Sequence, residues 1–241
     1  MRRTTRLAGW TSAALLLMAA AAQARMDYVA GVHLVPGEAG EMATGVVFHD
    51  LSRDGIRQAD EPGIAGVIVS NGRDAVLSDR DGAYALAVMA DMTVMVSEPA
   101  GWDVPVNDDG VPQFFYTHKP AGTPEDLRYG GLAPTGPLPA AIDFPLVRSA
   151  RADSFSCVAM GDTQPYSNTE VGYVRDSVLT DIVARDDLPD ARCLLLLGDV
   201  MGDDLGLLPR FMAMMSVADL PQYYVHGNHD YDFDASSDRH S

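Results

Sequence analysis

CLLLLGDVMGDD, residues 193–204, runs five apolar residues straight into a glycine and an acidic loop. A short apolar run with no polar alternation reads as a strand buried on both faces, the habit of parallel sheets. Two other stretches repeat the pattern: SFSCVAMGDTQ (154–164) and QYYVHGNHD (222–230). Between them, EVGYVRDSVLTDIVAR (170–185) sets Val171, Val174, Val178 and Ile182 on one helical face, with Asn168 or Thr169 as the N-cap. PRFMAMMSVA (209–218) reads as a second helix, with Pro209 tolerated in its first turn. Strand, helix, strand, helix, strand is the opening of a parallel α/β sheet.

In such a sheet all the strand ends share one edge, where open α/β folds hold their ligands. Asp162, Gln164, Asp199, Asn228 and His229 are therefore expected to converge, although they lie far apart along the chain. The glycine before each group lets the backbone turn sharply off its strand. Taken singly, an Asp or Asn after a strand is usually a turn or capping residue. Repeated after three strands, the set points to oxygen ligands for divalent metal ions.

The chain begins MRRTTRLAGWTSAALLLMAAAAQA, with a basic head, an apolar run and small residues at Ala22 and Ala24. This is the layout of a secretory signal over residues 1–24, so export to the periplasm or beyond is expected. The apolar run is too short for a membrane helix, and no stable insertion is expected after cleavage. Losing Arg2, Arg3 and Arg6 takes the formal charge from −17 to −20. Such a chain repels nucleic acid, which is excluded as a partner. Cys157 and Cys193 read as buried thiols, with a disulfide the less favoured alternative.

Residues 25–43 read as a linker. From Thr44, TGVVFHD, GVIVSNG, AVLSD, AYALAV and TVMVSEP read as short strands separated by Asp-Gly and Asn-Gly signals. Residues 101–145 are rich in Pro and Gly and offer one clear strand, QFFYTH. Regularly spaced short strands suggest a β-sandwich over 44–148, its end serving as a connecting segment. DLSRDGIRQADE (50–61) follows a calcium-loop pattern, with Asp50, Ser52, Asp54 and Glu61 as candidate ligands and Gly55 at the turn. A plain acidic hairpin turn is the equal alternative. His49 and His118 read as surface or strand residues.

The set GDTQ … GDVMGDD … GNHD resembles the opening motifs of the calcineurin-like metallophosphoesterases. FFYTHKPAGTP and PTGPLPAAIDFPL are similar to the connecting segment of exported bacterial members that carry a β-sandwich ahead of the catalytic domain. The resemblance implies a two-domain protein: the N-terminal β-sandwich, then a partial α/β domain over 151–241. It implies metal-dependent hydrolysis of phosphate esters, with two divalent ions (Mn, Fe, Zn or Mg) as cofactors. Asp162, Gln164, Asp199 and Asn228 would be the metal ligands, Asp199 bridging both ions. Gln164 stands where the family has a histidine. His229 would assist the leaving group, and Asp230 would orient it. The family takes further histidine ligands from strands beyond the Asn-His motif, so a chain ending at Ser241 is expected to be C-terminally truncated and weakly active. His226, inside a strand, and His240, near the terminus, are not favoured as substitutes. The alternative is an exported binding or adhesion module with an inert phosphoesterase-like half.

Overall fold

The computed structural model describes residues 26–123, 127–150, 154–185 and 191–232. The leader expected over residues 1–24 and His240 lie outside them. The described chain is mostly β-sheet with few helices. Its strands are β1 (His33–Val35), β2 (Met42–His49), β3 (Ile68–Ser70), β4 (Ala75–Leu77), β5 (Ala83–Ala87), β6 (Met92–Val96), β7 (Trp102–Asp103), β8 (Phe115–His118), β9 (Ala141–Arg148), β10 (Ser156–Met160), β11 (Ala191–Leu197) and β12 (Gln222–Val225).

The first half folds as two sheets, one ordered β1-β9-β2-β5 with β7 also on β9, the other β4-β3-β6-β8. In β2, Ala43, Gly45 and Val47 face inward in alternation, the period of a half-buried strand. Apolar residues of both sheets, among them Val47, Val69, Leu86, Val94 and Phe144, close into one cluster. Two features depart from the sequence reading. Part of the expected linker is structural, because β1 pairs antiparallel with β9 and Tyr28 is buried with its hydroxyl on Asp50. The Pro- and Gly-rich stretch ends in β9, the strand at the centre of its sheet. Pro145 hides that strand in the sequence, since a proline normally argues against a central position. It is tolerated here because β1 pairs residues 141–143 and β7 pairs 147–148, leaving no ladder partner on that side at position 145.

The second half is the three-stranded parallel sheet β10-β11-β12, as its apolar runs suggested. Helices α1 (Asn168–Val174), α2 (Thr180–Ala184) and α3 (Leu208–Met215) accompany it. Ser167, not Asn168 or Thr169, caps α1: its hydroxyl accepts from Glu170 N, while Glu170 reaches back to Tyr166 N. That reciprocal pair resembles a capping box, which settles the start one residue earlier. A π-helical turn over Arg175–Leu179 joins α1 to α2. It turns the buried face by one residue, so Leu179 is buried and Val178 is left 38% exposed. In α3, Phe211 and Met215 are fully buried one turn apart, with Pro209 in the first turn as expected.

Cys157 and Cys193 are cross-strand neighbours in β10 and β11 and form a disulfide, contrary to the buried-thiol expectation. Neither strand's sequence reveals this, because only the parallel register brings the two positions side by side. The two halves also touch. Gln222 has no exposed surface: its backbone N donates to Gly110 O and its Nε2 to Asp109 O, both at 2.8 Å. The rings of Phe114 and Tyr223 lie 6.4 Å apart.

Replacing both Cys157 and Cys193 by serine opens a loop spanning 36 residues. Unfolding in urea should show a loss of about 2–4 kcal/mol, matched by reductant on the unsubstituted chain. A second expectation concerns Glu98, near Tyr223 and Asp103. Desolvation, then the Asp103 charge, push its carboxyl from 4.5 up to about 7. The folded chain then holds a proton that the unfolded chain has already released, so stability falls as pH rises through that window. Glu98 keeps an exposed surface, and solvent screening limits the effect to about 1 kcal/mol. Glu98→Gln should flatten the difference between urea midpoints at about pH 5 and about pH 7.5.

Candidate functional site

Because β10, β11 and β12 run parallel, their C-terminal loops emerge together. The first loop lies along the second: Asp162 N donates to Gly198 O at 3.2 Å and Gln164 N to Asp199 O at 3.1 Å. The third is drawn against the second by one carboxylate. Asp230 accepts from Val200 N (3.0 Å), Met201 N (2.7 Å) and Gly227 N (2.8 Å). At Gly227 any side chain would collide with the Asp199 carboxylate and backbone, so only glycine lets the two loops approach this closely.

Asp199 sits at the centre. Its Oδ2 accepts from Gln164 Nε2 at 3.2 Å and its Oδ1 from His229 N at 3.0 Å, so it touches both flanking loops. Four non-glycine residues of the first two loops adopt left-handed backbone: Asp162 (φ +52°), Gln164 (+37°), Asp199 (+47°) and Asp203 (+69°). Each costs on the order of 1 kcal/mol, and such strain gathers where side chains must be aimed. The structure thus brings Asp162, Gln164, Asp199, His229 and Asp230 onto adjoining loops of one edge. Asn228 stands exposed on the third loop, and its side chain makes no hydrogen bond among the described residues.

The partner of His229 differs from the sequence expectation. Asp203, not Asp230, meets the imidazole, with Oδ1 2.7 Å from Nδ1. Asp230 is engaged by three backbone amides and serves as the clamp between loops. The hydrogen bond to Asp203, followed by the charges of Asp203, Asp199 and Asp230, holds the His229 pKa above its ordinary value. Asp203 is in turn seated by the connecting segment: Tyr129 donates its hydroxyl to Asp203 O at 2.8 Å. The neighbouring amides of Arg128 and Tyr129 donate to the buried Asp232, at 2.6 and 3.2 Å. The Tyr166 ring stands edge-on to His229, centroids 6.5 Å apart, and packs on Gly202, where a side chain would displace it. Asp203 was visible in the sequence as the second acid of GDVMGDD; Tyr129 and Tyr166 carried no signal there.

As candidate metal ligands, Asp162, Gln164, Asp199 and Asn228 are two carboxylates and two amides. That all-oxygen chemistry fits a hard cation such as Mg²⁺ or Mn²⁺ better than an imidazole-seeking Zn²⁺. Among the described residues no three His, Cys, Asp or Glu side chains gather as a metal-holding group. His226, just past β12, packs its ring against Tyr231 at 5.1 Å.

The acidic loop of the first half is closed by its own donors. Asp50, buried, accepts from Tyr28 Oη, Ser52 Oγ, Arg53 N and Gly55 N. Glu61, also buried, accepts from Leu51 N, Ser52 N and Gln58 N. Asp54 accepts from Ile56 N and from Gln58 Nε2, which hold its carboxyl below the usual range. A cation here would share oxygens that the loop already uses to hold its own shape. His118 is buried in β8, its Nδ1 3.4 Å from Thr135 Oγ1, and takes no part in either edge.

Residues 52–130 match the family model described as N terminal of calcineurin-like phosphoesterase. No curated protein and no solved structure matches the chain. The match spans most of the acidic loop, β3 to β8 and Tyr129, and it supports the calcineurin-like phosphoesterase family. The three glycine-ended loops lie downstream of it.

The clamp and the ring partner should separate by stability. Asp230→Asn turns an acceptor toward amide donors into a donor and should cost about 1–3 kcal/mol in urea unfolding. Asp203→Asn, at an exposed site, should cost less than about 0.5 kcal/mol. Equal losses would mean that Asp230 does not hold the loops.

Proposed function

We propose that this protein is an exported, metal-dependent phosphoesterase: a β-sandwich followed by an α/β catalytic domain. The observation that carries the reading is the meeting of Asp162, Gln164, Asp199 and His229 on one strand-end edge, downstream of a segment matching a phosphoesterase family. The leader and the Cys157–Cys193 disulfide both support an oxidising compartment outside the cytoplasm. Among the described residues no helix is long and apolar enough to cross a membrane.

Asp162, Gln164, Asp199 and Asn228 are the residues that would hold the divalent ions. Bound there, such ions supply Lewis-acid polarisation of a phosphoryl oxygen and an activated water. Asp199, fastened through both oxygens to the flanking loops, fixes the site with little reorganisation. Asp203 holds His229 through Nδ1, leaving Nε2 to pass a proton to the departing alkoxide as its P–O bond breaks. Tyr166, beside the imidazole, limits how the ring can turn. A calcium ion on the loop of Asp50, Ser52, Asp54 and Glu61 would stiffen the sandwich and have no part in the chemistry. An inert binding module is the weaker reading: four of the six non-glycine residues with left-handed backbone among the described residues gather at this one edge, the clustering that such strain shows where side chains are aimed.

Asp199→Asn keeps the shape of the side chain but removes its charge. Titration of Mn²⁺ by calorimetry should show binding weaker by about 100-fold. Unchanged Mn²⁺ affinity would overturn the ligand assignment whatever the activity does.

A further inference from the structure

Three side chains on neighbouring strands line a groove of about 330 Å³ in the first half of the protein. Trp102 of β7 is the cross-strand partner of Arg148 on β9, and His49 ends β2, which pairs with β9 on its other side. The Arg148 guanidinium lies over the Trp102 ring, 3.9 Å from its centroid. The His49 ring meets the same indole edge-on at 5.0 Å and 88°. Pro62, Ile64 and Ala65 complete the wall.

The cationic side chain of this groove and the imidazole beside it have no hydrogen-bond or ion-pair partner among the described residues. Stacking on an indole attracts the guanidinium charge but leaves its five N–H donors unbonded. Arg148 makes no ion pair or side-chain hydrogen bond among the described residues, and neither does the His49 ring. This is unexpected in a chain with 34 acidic residues and 17 lysines and arginines. Arg53, Arg73, Arg80 and Arg175 each have an aspartate within 3.0 Å. A planar fork of donors, held over an aromatic ring beside an imidazole, is suited to bidentate capture of an oxyanion. The volume lies at the small end of ligand pockets, enough for a single-ring molecule.

We infer that the groove between His49, Trp102 and Arg148 binds a small organic oxyanion, a carboxylate or phosphate carried on one ring. The site stands apart from the phosphoesterase reading, since none of its residues belongs to the three strand-end loops. Its residues stand on paired strands and its guanidinium and imidazole both rest against the indole, so the donors are placed before the ligand arrives.

The full chain carrying Trp10→Phe has Trp102 as its sole tryptophan, which makes intrinsic fluorescence a local probe. Glucuronate, inorganic phosphate and uncharged glucose are titrated in turn. A saturable fluorescence change is expected with glucuronate or phosphate and not with glucose; the arm that responds identifies the oxyanion. Arg148→Gln should weaken that response by at least about tenfold, the worth of a charged hydrogen bond, and leave the thermal unfolding midpoint in place. Should that variant fail to fold, His49→Gln provides the same comparison. No saturable change with either anion, an equal response to glucose, or a response that survives Arg148→Gln would overturn the inference. A phosphate response lost in Asp199→Asn and kept in Arg148→Gln would assign it to the strand-end edge and overturn it equally.

Discussion

One carboxylate holds the strand-end edge together. Asp230 takes amide hydrogens from the turn after β11 and from the end of β12, so that two loops from separate strands share a single anchor. Carboxylate hydrogen bonds to backbone amides are among the stronger ones available to a partly buried loop. Without this anchor, Gly227 would have no reason to lie against Asp199, and the His229 amide would lose its place on the Asp199 carboxylate. Everything proposed for the edge depends on those two approaches.

The cost of the arrangement is visible in the backbone. Asp162, Gln164, Asp199 and Asp203 hold left-handed conformations that glycine would adopt without strain. Their side chains are what glycine could not supply. Aspartate tolerates this region better than most residues, which reconciles the strain with a folded loop. Asp199 and Asp203 then divide the work. The first links the loops through Gln164 and His229, and the second fixes the imidazole.

The first half of the protein bears on that edge through the connecting segment. Tyr129 reaches Asp203 O, the Arg128 and Tyr129 amides cap Asp232, and Gln222 fastens β12 to the loop around Asp109. These bonds give a physical reason why a β-rich half should accompany an α/β half. It buttresses the loop that carries the histidine's partner. The same half presents its own aromatic and cationic groove at the meeting of β2, β7 and β9.

Much of this was legible in the chain. Apolar runs ended by Gly161, Gly198 and Gly227 point to three parallel strands, although only one face of β11 is fully buried, through Leu194 and Leu196, while Leu197 and Val225 stay exposed. Alternation and Asp-Gly or Asn-Gly signals dictate most of the β-rich half, since side-chain period and turn chemistry are local properties. What stayed hidden is what depends on neighbours distant in sequence. Pro145 masked β9 because only the gap between β1 and β7 makes a proline acceptable there. The π-helical turn put Leu179 where Val178 was expected, a shift set by packing on the sheet. Cys157 and Cys193 became partners through strand register. Asp203 rather than Asp230 took the imidazole because three amides from two strand ends had already claimed Asp230. The sequence determined which residues gather at the edge, through the strands that end there. Tertiary structure alone decided which of them touch, because hydrogen-bond partners are chosen by proximity in space among groups of equal chemical competence.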